Sequence, residues 1–495
     1  MFSNLGEMVP RELPRDATWL TEIAAGGAEQ AYRFGQLHAQ ADAVARGLLA
    51  RGVVRGDRVA LMAGNLARYL IAFLGIMRAG CVAVPVNPRL PPPTVDHIHH
   101  DSQIRLTLTD TAALPLLEGR AALRLDDDAA WAALLDPGPF ASPAMQPQEI
   151  ALILYTSGST GRPKGVPLTH GGYTWAADFL VASGPPMAGR RVLVAAPLFH
   201  MNGLLMSLLT ARAGGSVVLL QRFSAAQYLQ AAAQHRCQVL TSVPTMLALA
   251  ARETELLARL DLSSVDTVVS GSAPATAALF DQVARIFPNA RVMNSYGTTE
   301  SSPIVFGPHP KGLPRPMLSV GYPLAQAELK LVGGPDENQG VLWLRSRAVM
   351  PGYLNLPDET AKRLHDGWYD TGDVMRRDAD GFYYFVGRSD DMFVCGGENI
   401  YPSELEQLLE THPAVAQAAV VPVADEIKGQ LPAAFIVLRP GAQLGADELK
   451  RYTLARAPAY QHPRFVELVA ELPLAGPNKI DRRQLIERAA HAFGR

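Results

Sequence analysis

The sequence predicts an α/β protein with a large N-terminal domain of parallel-type sheets covered by helices, a small β subdomain, and a small α+β C-terminal domain. Three observations carry this expectation. The 495 residues are too many for one hydrophobic core. Through the first half, short runs that are apolar on both faces alternate with helical patterns, as in parallel sheets covered by helices. Past about residue 325 the strands shorten, and past Asp391 a compact helix–strand–strand–helix piece begins.

In chain order, "GQLHAQADAVARGLLA" (35–50) places Leu37, Ala41, Val44 and Leu48 on one helical face. "DRVALMAGN" reads as a strand, "ARYLIAFLGIMRAG" as a buried helix despite its arginines, and "CVAVPVN" as the next strand. "DPGPFASPAMQPQ" (136–148) has the Pro and small-residue content of a linker. "ALILYTSGSTG", "VLTSVPTM", "TVVSGSAPA" and "RVMNSYGTTE" are each an apolar strand running into a loop of Gly, Ser, Thr or Pro. Ligands of open α/β sheets bind beyond the carboxyl ends of strands, so these loops are expected to share one crevice. "AELKLVG", "GVLWLRS" and "GFYYFVGRSDD" form the small β subdomain. A helix from Ser403, strands "AAVVPV" and "AAFIVL", and a helix from Ala446 form the last piece, with the domains divided as 1–389 and 390–495.

Composition excludes several classes. The net charge of -2 gives no basic surface for nucleic acid. Cys81, Cys237 and Cys395 lie far apart without CxxC spacing, which argues against a disulfide framework or zinc site and for a reducing cytoplasm. No apolar run reaches the roughly 18 residues of a membrane span, and "MFSNLGEMVPREL" lacks the pattern of a signal peptide. "DHIHHD" (96–101) has metal-ligand residue types, but solvated histidines on a helix remote from the site are expected.

"YTSGSTGRPKG" (155–165) is the most telling loop. Glycines let backbone N–H groups converge on an anion, hydroxyls add donors, and Lys164 adds a charge suited to phosphate. It is not a Walker A loop, because Lys164 lies between Pro163 and Gly165 rather than in Gly-Lys-Ser/Thr.

With "NSYGTTE", "GWYDTGD", "GRSDDMF", "GGENIYPSELE" and "NKIDRRQL" following in this order, the chain resembles the adenylate-forming superfamily of acyl-CoA synthetases, peptide-synthetase adenylation domains and luciferases, from about residue 30 to 490. The resemblance implies an ATP-dependent carboxylic acid–CoA ligase. Acid and ATP give acyl-AMP and pyrophosphate, and the thiol of coenzyme A then gives acyl-CoA and AMP. It implies that Thr156, Ser157, Gly158, Ser159, Thr160 and Lys164 hold the β- and γ-phosphates, that Thr299 contacts the α-phosphate, and that Glu300 ligates Mg²⁺. Tyr296 would stack on adenine with Asn294 at its amino group, and Gly271, Ser272 and Ala273 would form the other wall, with Gly297 nearby. Asp373 would accept from both ribose hydroxyls, supported by Arg388. Lys479 aligns with the lysine that bridges carboxylate and phosphate, although the commoner "SGK" is "PNK" here. Asp390 falls at the hinge about which the small, mobile domain rotates to present a loop containing Gly396 and Gly397 to the coenzyme A side, and Cys395 beside it reads as packing.

"APLFHMNGLL" should line the acyl pocket through His200, which gates thiol access in the family, Met201, Gly203 and Leu204, completed by Val243, Ser295, Gly297, Ser302 and Pro303. No aspartate lies between Ala195 and Leu209 to pair an α-ammonium, so amino acids are disfavoured. An aromatic or medium-length aliphatic acid fits best, while Asn202 and the serines leave a hydroxylated acid or short dicarboxylate open. No carrier domain follows Arg495, which favours free coenzyme A; a stand-alone enzyme loading a carrier protein's phosphopantetheine is the alternative, and a non-catalytic nucleotide-binding scaffold is disfavoured by the intact Lys164, Glu300, Asp373 and Lys479. The oligomeric state is open, a homodimer included.

Overall fold

The computed structural model describes residues 3–156, 162–183, 187–302, 305–474 and 480–493. Two large sheets dominate. One has six strands in the spatial order Ala122–Arg124, Ile104–Thr109, Arg58–Met62, Val82–Pro85, Ile150–Thr156 and Lys164–Thr169, all parallel except the last pair. The other has seven, in the order Arg291–Asn294, Thr267–Ser270, Val239–Ser242, Arg191–Val194, Ser216–Leu220, Thr18–Ile23 and Glu29–Arg33, parallel except for the final antiparallel edge.

Their central strands are mostly apolar because both faces are covered, unlike the exposed edge strand Glu29–Arg33. Every residue of Val82–Pro85 and of Val239–Ser242 is buried. The helix Ala67–Arg78 is buried all round except at Arg68. Arg78 is tolerated there because its guanidinium donates to the carbonyls of Gly6 (2.9 Å) and His38 (3.0 Å) and to the carboxylate of Asp42 (2.7 Å). The helix Phe34–Ala50 turns Leu37, Ala41, Val44 and Leu48 inward, as its periodicity predicts. One apolar core runs from these helices through both sheets to Leu342, Leu344, Met375 and Tyr383 of the next sheet.

That next sheet is antiparallel and joins Glu328–Asp336, Gln339–Arg345, Trp368–Arg377 and Leu364–His365, with Tyr383–Arg388 paired to Trp368–Arg377. The last sheet, Glu398–Ile400, Phe393–Cys395, Gly429–Leu438, Val415–Asp425 and the parallel Phe465–Leu468, has its own cores under the helices Pro402–Glu410, Ala446–Leu454 and Arg482–Phe493. Among the described residues no helix is long and apolar enough to cross a membrane.

Candidate functional site

Strands Ile150–Thr156 and Lys164–Thr169 are the legs of the glycine-rich loop, and Thr156 pairs across from Lys164. Ser157, Gly158, Ser159 and Thr160 lie outside the described residues, as do Pro303 and Lys479. Lys164 Nζ reaches Glu359 Oε2 at 2.5 Å and lies 5.3 Å over the ring of Tyr353. The Tyr353 hydroxyl donates to Glu300 Oε1 at 3.1 Å. Tyr353 therefore joins Lys164 to Glu300. Lys164 first, then Lys362, pulls the Glu359 carboxyl down to about 2.

The helix Pro92–Asp101 requires a correction. The expectation placed its histidines in solvent, remote from the loop. Instead His97 Nε2 donates to the carbonyl of Pro163 at 3.1 Å, and Tyr155 donates to Asp101 at 2.7 Å. Asn355 also donates to that carboxylate, at 3.0 Å. His99 is buried. The helix thus braces both legs of the glycine-rich loop, and local periodicity holds no signal for such a contact.

The opposite wall rises from the adjacent parallel strands Val239–Ser242, Thr267–Ser270 and Arg291–Asn294. Backbone bonds stitch their outgoing loops together: Gly271 N–H to the Ser242 carbonyl (3.3 Å) and Ser295 N–H to the Ser270 carbonyl (2.7 Å). A Cβ on Gly271 would stand 2.2 Å from Ser295 Oγ, so the close approach uses a glycine. Ser272 holds a left-handed φ of 67° beside Ala273, a strained conformation of the kind that collects at ligand sites. Asn202 Nδ2 donates to its hydroxyl at 3.4 Å, tying the helix Met201–Arg212 to this wall. Asn294 Nδ2 donates to the carbonyl of Leu318 (2.9 Å), which orients the amide and leaves its oxygen and second N–H for a ligand. Ser295 and Gly297 are exposed, and Thr299 is partly so.

Asp373 ties this wall to the antiparallel sheet. It lies opposite Arg388 in the strand register, is 5 % exposed, and accepts from Tyr296 Oη (2.6 Å) and Arg388 Nη1 (3.0 Å). Burial raises its carboxyl above the ordinary value in spite of these two partners. The Tyr296 ring meets Phe306 edge-on at 5.8 Å.

His200 caps the helix Met201–Arg212 and is exposed, while Met201 is half-buried. Gly203 is enclosed: a Cβ there would stand 2.5 Å from the Ala196 carbonyl. Leu204 and Ser302 are fully buried, and Ser302 has a φ of 62°. Val243 is partly buried at the start of the helix Pro244–Ala250. Farther on, Asp390 accepts from Arg363 (2.9 Å) and Arg388 (3.4 Å). Gly396 and Gly397 turn with φ of 60° and 89° between two short strands. Tyr353, Glu359 and Arg363 are the residues that sequence reasoning missed; the acidic first turn and basic last turn of the helix Pro357–Arg363 were the visible signal.

Comparison with known proteins shows what the chain is similar to. Residues 10–354 match the model of the AMP-binding enzymes, and residues 404–479 match their C-terminal domain. A feruloyl-CoA synthase of Amycolatopsis sp is 35% identical over 481 residues, covering 94% of this chain and 96% of that protein. A fatty acid–[acyl-carrier-protein] ligase of Streptomyces coeruleorubidus is 33% identical over 477 residues, covering 92% of this chain and 91% of the other. The crystal structure of an anthranilate CoA ligase with anthranoyl-AMP superposes with a TM-score of 0.89 at 28% identity, covering 99% of this chain and 97% of that one. The chain belongs to the AMP-binding enzyme family, and its class is that of an AMP-forming acid–thiol ligase.

Proposed function

We propose that the chain joins a carboxylic acid to coenzyme A in two steps. The acid's oxygen attacks the α-phosphorus of ATP and pyrophosphate leaves. The thiol then attacks the acyl carbonyl and AMP leaves. The observation that carries this reading is the linkage, around one crevice, of Lys164 to Glu300 through Tyr353 and of Tyr296 to Arg388 through Asp373. It supplies a cation for phosphate, a carboxylate, and a buried acceptor for ribose hydroxyls in a preorganised array.

In this reading Thr156 and the residues to Thr160, with Lys164, hold the β- and γ-phosphates, and Thr299 meets the α-phosphate. Tyr296, Asn294 and the Gly271–Ala273 wall hold adenine, while Asp373 and Arg388 hold ribose. Mg²⁺ suits one carboxylate plus phosphate oxygens, and Glu300 has one carboxylate oxygen beyond that taken by Tyr353. Bound there, the ion would offset phosphate charge. Residues 1–389 would form the binding body and 390–495 a piece that turns at Asp390, exchanging Lys479 for the Gly396–Gly397 turn. A reducing cytoplasm suits three cysteines that are free and buried.

The acid proposed is aromatic or medium-length aliphatic. Support comes from the absence of an aspartate between Ala195 and Leu209 and from relatives named for ferulate and anthranilate. A second reading, transfer to a carrier protein's phosphopantetheine, is supported by the relative named for that reaction. The test is pyrophosphate release across an acid library with ATP and Mg²⁺, followed by free coenzyme A against pantetheinylated carrier as acceptor. Benzoates, cinnamates or medium fatty acids should give the highest kcat/KM. An α-amino acid at the top would overturn the acid class, and transfer to carrier alone would overturn the acceptor.

A further inference from the structure

We infer that Arg363 is a positioning residue that holds the hinge residue Asp390, and so weights the balance between the two half-reactions. The inference deepens the proposed two-step function and rests on it.

Arg363 ends the seven-residue helix Pro357–Arg363. Its Nη2 donates to Asp390 Oδ2 at 2.9 Å, and its Nη1 lies 3.7 Å from Asp370. Arg388 reaches the same Asp390 oxygen at 3.4 Å while holding Asp373 at 3.0 Å. Gly372 makes room for the two guanidinium groups: with a φ of 68°, it is a position where a Cβ would stand 2.7 Å from Arg363 Nη1 and 3.2 Å from Arg388 Nη2. Two adjacent cations repel unless carboxylates lie between and around them, and Asp370, Asp373 and Asp390 supply those.

The contact is built to open. Asp390 is 49% exposed and Arg363 25%, so water can replace either partner at small cost, unlike a fully buried pair. Rotation of the backbone at Asp390 moves its carboxylate relative to Arg363, which is fixed on the body by its own helix. The first turn of that helix also holds the phosphate-loop lysine, through Glu359 at 2.5 Å. One short helix therefore grips the phosphate loop at one end and the hinge at the other. The arrangement seen here is the one that the Arg363–Asp390 contact favours.

The test compares the full-length protein with Arg363→Ala and Arg363→Lys. Single-turnover pyrophosphate release gives the first step, and thioester formation from supplied acyl-adenylate gives the second. Independently of activity, energy transfer between dyes on Val54→Cys and Ile427→Cys reports the placement of the two pieces; both sites are exposed and the native cysteines are buried. Arg363→Ala should change the ratio of the two rates by about two- to fivefold, an effect sized for a partly exposed ion pair. It should also shift or broaden the distance distribution and leave the KM for ATP within about twofold. Arg363→Lys, which keeps the charge, should recover most of the ratio. Adding Asp390→Asn to Arg363→Ala should change little further if the two act as one contact. An unchanged ratio with unchanged distances would overturn the inference. So would an ATP KM that moves as far as kcat, since that marks a nucleotide contact. Failure of the functional reading shows separately: the unmutated protein would release no acid-dependent pyrophosphate, and the distances alone would then decide the role of Arg363.

Discussion

Asp373 and Asp390 are two aspartates that bind the same arginine. Arg388 Nη1 donates to the first at 3.0 Å, and Nη2 to the second at 3.4 Å. Asp373 sits within the strand Trp368–Arg377, its side chain 6% exposed, with Tyr296 as a second donor at 2.6 Å. Asp390 sits just past the end of Tyr383–Arg388, 49% exposed, with Arg363 as its second donor. The chemistry is nearly the same, but the burial is not. A carboxylate that is itself sealed from water is a fixture even though Arg388 is 41% exposed, because losing a partner strands a buried charge. The same contact in water is worth about 0–1 kcal/mol and can exchange partners. The proposed nucleotide corner and the proposed hinge thus differ in how wet they are rather than in residue type.

The comparison is sharpened most by a change on the piece that the hinge carries. Lys479→Ala is expected to slow acyl-adenylate formation by about 10²- to 10³-fold, the size of one lost charge contact in a water-poor site. Thioester formation from supplied acyl-adenylate should survive. Rapid-quench kinetics of each step decide it, and equal slowing of both would break the assignment. Asp390→Pro is the converse: proline fixes φ near -65°, so transfer to the thiol should fall by about tenfold or more while adenylation persists. If neither step slowed in that variant, Asp390 would not be the pivot. Next comes the fixture itself. Asp373→Asn should raise the KM for ATP by about 10- to 100-fold, as expected for hydrogen bonds involving a charged group. Asp390→Asn should leave that KM within about threefold. Similar KM shifts from both variants would dissolve the distinction between fixed and exchangeable aspartates.

Much of this organisation was legible in the sequence, for a physical reason. Strands covered on both faces tend to be apolar throughout, so Val82–Pro85 announces a parallel sheet by composition alone, whereas Val239–Ser242 is as buried but ends in Thr241 and Ser242. Loops that approach a ligand closely need small residues, which marks the turns after Thr156, Ser242, Ser270 and Asn294. Which sheet each strand joins was not legible: the strand ending at Thr156 belongs to the six-stranded sheet, and the other three to the seven-stranded one. The cross-crevice partners were also hidden. Lys164 and Glu359 are 195 residues apart, and His97 and Pro163 are 66 apart. Periodicity reports what a segment does with its own neighbours and nothing about such pairs. The bracing helix Pro92–Asp101 was misread for this reason: "DHIHHD" looks solvated until the loop it supports is in place.

The smallest expected effect is also the finest test of burial as the cause. Burial raises the Asp373 carboxyl above its ordinary value near 3.8, although Arg388 and Tyr296 pull the other way. A raised carboxyl means that the folded protein holds the proton more tightly than the unfolded chain. Below the ordinary value both states are protonated, and ionisation costs nothing. Above the raised value both are ionised, and the cost of burying the charge is fully present. Asp373 therefore weakens the fold at neutral pH, and that penalty is relieved as pH falls through the raised value. In the proposed function ligand binding runs the opposite way, because the ionised group is the one that would accept from both ribose hydroxyls. As pH falls from neutral toward that ordinary value, the melting temperature of the unmutated protein should rise relative to that of Asp373→Asn by a few degrees at most. Over the same interval its KM for ATP should increase. Differential scanning calorimetry on both proteins and ATP titrations on the unmutated one give the two curves. If the two melting temperatures stay parallel while KM rises, the group losing its charge is elsewhere in the site, and burial is not what separates Asp373 from Asp390.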